Sequence, residues 1–163
     1  MKTSFVSRFL PSILLAGSLG LSVSAQEPAH DIVVYGGTSG GVTAAVQAAR
    51  SGRSVVLITP KAHLGGLTSS GLGWTDLGDE SILGGLSREF YEAVYDHYQD
   101  DAAWTWEAKQ LGMGGQGGPA FNASLGIASV FEPKVAESIF DEMIAAAGVT
   151  VVEGRLDLTN GVS

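Results

Sequence analysis

Apolar residues in this chain gather in short unbroken runs and in longer stretches that repeat every three or four positions. Ile32 to Tyr35 is a run of the first kind and predicts a buried strand. A glycine-rich turn follows at Gly36, Gly37, Gly40 and Gly41, then an alanine-rich helical segment closed by Gly52. A second apolar run, Val55 to Ile58, comes directly after, which completes a β-turn-α-β unit. Farther on, Leu83, Leu86, Phe90 and Val94 mark the buried stripe of a helix from about Gly85 to Tyr98. Val135, Ala136, Ile139, Phe140, Met143, Ile144 and Ala147 mark another, from Pro133 to Ala147. Proline suits its first turn, Glu132 lies at the positive end of its dipole and Gly148 ends it. Val149 to Val152 predicts a third buried strand, and Arg155 to Leu158 a further one. The latter runs into Thr159-Asn160-Gly161, a hairpin signal whose returning strand is absent, so the sequence reads as the N-terminal portion of a longer protein. Strands alternating with helices predict an α/β fold, with a Rossmann-like parallel sheet and flanking helices. Residues 100 to 130 lack periodicity and read as an irregular insertion or lid containing Trp104, Trp106 and the glycines at 112, 114, 115, 117 and 118.

The first 25 residues stand apart. Lys2 and Arg8 form a positive start, Phe9 to Val23 an apolar core, and Val23-Ser24-Ala25 a small-residue cleavage site. This pattern predicts a signal peptide and export to the periplasm or beyond, with residues 26–163 as the mature domain. Without the signal the chain carries 7 basic and 17 acidic residues. That balance argues against nucleic acid and against an anionic membrane surface as partners of the mature form. The chain has no cysteine, which excludes disulfide and thiolate chemistry.

The glycine turn carries the chemistry. A glycine-rich turn at a helix start exposes backbone N–H groups where the dipole favours an anion, and a dinucleotide pyrophosphate suits this arrangement well. Against the fingerprint G-x-G-x-x-G, Gly36 is the first glycine and Gly41 the third, while Thr38 replaces the second. Gly37, Ser39 and Gly40 complete the turn. At the end of the second strand, where an acidic residue usually meets a ribose, the chain has Thr59 followed by Pro60. A purely structural glycine turn is the plainer alternative. A second alternative reads Gly37-Thr38-Ser39-Gly40-Gly41 as G-x-S-x-G, the nucleophile elbow of an α/β-hydrolase, with Ser39 as nucleophile. Opposing it, the elbow falls on the first strand, no upstream segment supplies an oxyanion-hole loop, and His63 and His97 do not follow a late strand.

Taken together, DIVVYGGTSGGVTAA, VVLITPKAHLGGLTSSGLGWTDLG, GGLSREFY and FEPKVAE resemble the FAD-dependent oxidoreductase family of exported bacterial flavoproteins. The resemblance implies a glutathione-reductase-like FAD-binding fold, of which this chain would be a partial domain. It implies non-covalent FAD, with the pyrophosphate over Gly36 to Gly41 and the adenosine ribose near Thr59. Gly65, Gly66, Thr68 and Ser69, in LGGLTSSG, would contact the phosphates and ribityl chain. Physically, Gly65-Gly66 permits close backbone approach, and Thr68, Ser69 and Ser70 offer hydroxyls. Family members usually carry glutamate where this chain has Thr59.

The other candidates divide between chemistry and surface. His63 lies beside the second glycine loop and reads as a flavin-tuning group or a surface histidine. His97 reads as a helix-end residue. Arg88 reads as a binder of a carboxylate or phosphate, or as an ion pair with Glu92. Trp104 and Trp106 read as sugar-stacking rings or buried lid residues. Asp76 and Asp79 lack the companions a metal needs. No catalytic side chain is assigned, because in a flavoenzyme the cofactor does the redox chemistry. The expected function is electron or hydride transfer from a small-molecule substrate, carbohydrate-like by analogy, to flavin. The contrary expectation is a non-catalytic remnant that binds no cofactor.

Overall fold

The computed structural model describes residues 29–115 and 117–161. The export signal read from residues 1–25 lies outside them. Strand β1 (Ile32–Tyr35) leads through the glycine turn into helix α1 (Ser39–Arg50), and the chain returns as β2 (Val55–Thr59). Thr38 caps α1 with its hydroxyl, which accepts from the Gly41 N–H at 3.2 Å. Helix α2 (Gly85–Gln99) comes next, then a two-residue hairpin, β3 (Phe121–Asn122) and β4 (Ile127–Ala128). Helix α3 (Pro133–Ala147) ends at Gly148, whose φ of 67° is the left-handed cap that glycine allows, and leads into β5 (Thr150–Glu153).

The sheet has the order β1-β2-β5, with both pairings parallel. The register places Val34, Leu57 and Val151 on one face. On that face Ile32, Val34, Val55 and Leu57 meet α1 and α3 in the main core. Phe90 of α2 stacks on Phe140 of α3 at 4.7 Å between ring centres and meets Phe131 edge-on at 5.5 Å. These rings tie α2 to the N-terminal half of α3.

Four expectations need correction. The third strand is not buried, since every residue of β5 is exposed and only Val149, just before it, is covered. The first strand is buried on one face alone, with Val33 60% and Tyr35 52% exposed on the other. An apolar run gives strand propensity, whereas cover depends on what packs over it. Arg155 to Leu158 forms no strand. There Gly154 lies over Ile58, the Leu156 N–H donates to the Tyr35 hydroxyl at 3.2 Å, and Asp157 accepts from the N–H groups of Thr159 and Asn160 to make a closed turn. Finally, residues 100–130 are not a lid throughout. Ala120, Phe121, Ile127 and Ala128 are buried in the core, and the hairpin is fastened to α2 by Arg88, which donates to the Leu125 carbonyl at 2.5 Å.

Candidate functional site

The glycine turn is closed by contacts that only glycine permits. A Cβ on Gly41 would stand 1.8 Å from the Gly36 carbonyl oxygen, so the helix start and the strand end are in direct backbone contact. Gly36 itself has a φ of 116° and nothing within 4 Å of where a Cβ would be, so its outer side is open. Thr38 fulfils a role that the G-x-G-x-x-G pattern does not contain. Its hydroxyl takes the Gly41 N–H and its carbonyl takes the Val42 N–H at 2.8 Å. The N–H groups of Ser39 and Gly40 are left without acceptors inside the helix and belong to the positive end of its dipole.

The second loop lies against the first. The Gly65 N–H donates to the Gly37 carbonyl at 2.8 Å, and Thr38 and Gly65 form a parallel bridge. A Cβ on Gly65 would fall 2.5 Å from the Phe140 ring and 2.6 Å from the Ser69 hydroxyl, while one on Gly66 would fall 3.3 Å from Thr38 Cα. Loop and turn are thus fitted together with α3 as backing. Beside them, between α1, α2 and α3, opens a cleft of about 140 Å³ lined by Ser39, Thr43, Thr68, Leu86, Ser87, Phe90, Tyr91 and Phe140.

The structure sorts the candidate hydroxyls. Ser39 and Thr68 line the cleft together. Thr59 does not offer its hydroxyl to a ribose in this arrangement. It is 2% exposed, donates to the Lys61 carbonyl at 2.9 Å, and packs beneath Gly37. Ser69 is also buried and donates to the Leu64 carbonyl. Pro60 is exposed beside them. Thr43, Ser87 and Tyr91 belong to the cleft and were not read from sequence. Thr43 carried a signal, because it stands one helical turn after Ser39 on α1 and donates to the Ser39 carbonyl at 2.9 Å. Ser87 and Tyr91 carried none, since only the tertiary packing of α2 brings them here.

These contacts pass the test for a dinucleotide at the turn. The Gly36–Gly41 contact is the close helix-strand approach that such a site requires, and the flank at Gly36 is unobstructed backbone. Residues 31–156 match the FAD dependent oxidoreductase family. The chain belongs to that family. The family's cofactor is FAD, and the parallel sheet with its flanking helices is a partial Rossmann-like FAD-binding domain. No individually curated protein matches the chain.

The remaining candidates fall elsewhere. Arg88 pairs with Glu92 at 2.6 Å and holds the hairpin, so its guanidinium is engaged within the protein. His97 is exposed in the last turn of α2. Trp104 is half-buried, its indole N–H donating to the Tyr98 carbonyl at 3.0 Å. Trp106 is 87% exposed, contrary to a buried lid residue. Both tryptophans line a separate cavity of about 200 Å³ with Tyr98, Phe121 and Glu132. Asp79 caps the short turn at Glu80–Ile82, and this bonding to Ser81 holds its carboxyl below the usual range. Among the described residues no group of three possible metal ligands occurs.

Proposed function

We propose that this chain holds FAD by its pyrophosphate at the Gly36–Gly41 turn, with Gly65, Gly66 and Thr68 along the adjoining stretch of cofactor, in an exported oxidoreductase. The observation that carries the reading is the contact of Gly41 with the Gly36 carbonyl, which brings the start of α1 against the end of β1. When bound, the flavin accepts an electron pair or hydride from a small-molecule substrate. The chain's own contribution is binding and placement. The Ser39 and Gly40 N–H groups would hold the phosphates, Ser39 and Thr68 would offer hydroxyls from the cleft wall, and Phe140 supports the loop from beneath. Thr38 keeps the helix start capped, so no side chain at that position need enter the phosphate path. The ribose, read as lying near Thr59 and Pro60, gains no hydrogen bond from the Thr59 hydroxyl, which is buried and already engaged. A carbohydrate-like substrate and a periplasmic or extracellular location belong to the same reading, supported by the pattern of residues 1–25. The mature form is read as having neither nucleic acid nor membrane among its partners.

Titration calorimetry of the purified chain with FAD tests the site. Saturable binding that is lost in Gly41→Val supports it. A chain that stays colourless after incubation with FAD supports the contrary reading, a remnant without cofactor.

A further inference from the structure

Outside the cleft, one group of side chains has a geometry that binding a dinucleotide does not require. His63 Nδ1 lies 2.6 Å from Glu137 Oε1 on α3. On the other side of the ring, His63 Nε2 lies 3.2 Å from the Ser70 hydroxyl and 3.1 Å from that of Ser69. A carboxylate against Nδ1 places the proton there, which leaves the lone pair on Nε2. Ser69 has one hydroxyl hydrogen and gives it to the Leu64 carbonyl. The hydroxyl free to donate to Nε2 is therefore that of Ser70, which is on an exposed residue. A serine hydroxyl on a histidine whose far nitrogen meets a carboxylate is the nucleophile-base-orienter arrangement of acyl transfer, recognised by geometry whatever the fold.

Two further features sit around Ser70. Gly71, next in the chain, has a φ of 125°, open space at its Cβ position, and an N–H that takes no acceptor among the described residues. The N–H following a nucleophile is a common oxyanion donor. Leu67 and Leu72, which flank Ser70, are 72% and 63% exposed and are joined by the Leu72 N–H to Leu67 carbonyl bond at 3.1 Å. They form a small apolar lip suited to a short acyl chain and not to a charged one.

We propose that Ser70, His63 and Glu137 form an esterase centre for short, uncharged carboxylic esters, separate from the Ser39 elbow that the sequence suggested. Ser70 Oγ bonds to the ester carbonyl carbon as its proton passes to His63 Nε2. The carbon–oxygen bond to the alcohol then breaks, and Nε2 returns the proton to the departing oxygen. Water repeats the sequence on the acyl-serine, releasing the acid and restoring the Ser70 hydroxyl. Glu137 holds the ring in the tautomer this needs. Asp141, one turn farther along α3, adds a second negative charge facing His63, and its own carboxyl is held above the usual range by burial and by Glu137. The activity does not depend on bound flavin, so it stands or falls separately from FAD binding.

The folded full chain is treated with a fluorophosphonate, and the modified residue is mapped by peptide mass spectrometry. The expected result is modification of Ser70 that disappears when the chain is first unfolded in urea. Hydrolysis of p-nitrophenyl acetate is expected to fall by about 100-fold or more in Ser70→Ala and in His63→Ala, and by roughly 10-fold or more in Glu137→Gln. Modification at Ser39, equal modification of the folded and unfolded chain, or no modification of Ser70 would each overturn the proposal. So would undiminished hydrolysis by Ser70→Ala. Because the mapping uses the unaltered protein, a variant that fails to fold does not decide the matter.

Discussion

Gly41 is the position where one methyl group does the most. Its Cβ would stand 1.8 Å from a backbone oxygen, which no side-chain rotation can relieve. Strand and helix must separate to admit it. Gly41→Val is expected to lose FAD retention altogether and to lower stability by about 1–3 kcal/mol or more, as overpacking does, measured by flavin titration and thermal melting. Thr38→Ala tests the neighbouring cap. It removes the acceptor of the Gly41 N–H and should lower the stability of the chain by about 1 kcal/mol. The two residues also show how far one sequence can be read. Gly41 was legible because a fixed spacing from Gly36 carries its reason. Thr59 was legible as a position at the strand end, but not the inward turn of its hydroxyl, since that depends on Lys61 and Gly37 closing over it.

At the scale of elements, punctuation made the helices readable. Helix α3 runs from Pro133 to Ala147 as its proline and glycine dictate, and α1 is bounded by a threonine cap and Gly52. The hairpin β3–β4 was invisible because two-residue strands have no period. The exposure of β5 was invisible because a run of β-branched residues looks the same at an edge as in a core. Two predictions belong here. Phe140→Ala removes the ring that stacks on Phe90 and supports Gly65. It should cost about 3–5 kcal/mol and weaken FAD binding without touching the cofactor, seen as a lowered melting temperature and a raised Kd. Asp31 joins β1 to β2 by accepting from the N–H and hydroxyl of Ser54, both at 2.9 Å. Those bonds, the backbone one first, hold its carboxyl below 3.8. An acid lowered in the folded state stabilises fully above its ordinary value and loses that contribution as pH falls through the lowered one. Acid unfolding followed by circular dichroism should therefore begin below about pH 4 at this clamp, and Asp31→Asn should remove its share of the pH dependence.

At the scale of the molecule, the first strand of the sheet is covered on one side only, while Val56 of the central strand is buried on the other. Val33, Tyr35 and Val152 are exposed on the other face, and β1 and β5 each have an edge with no partner among the described residues. Parallel sheets are ordinarily covered on both faces, and an open edge is a template for pairing. The chain by itself is expected to associate as its concentration rises, seen as growing mass in light scattering. Val33→Lys should reduce that association while leaving FAD titration unchanged, because Val33 lies away from the glycine turn.

The loop at Gly65 also has an order in time. Its own hydrogen bonds reach back to Gly37, but the ring and carboxylate that hold it from beneath, Phe140 and Glu137, come some 75 residues later in the chain. At synthesis rates of about 5–20 residues per second, the loop at Gly65 waits roughly 4–15 s for that support. With FAD held as proposed, flavin loading is therefore expected to follow the arrival of α3, after the first strands have assembled.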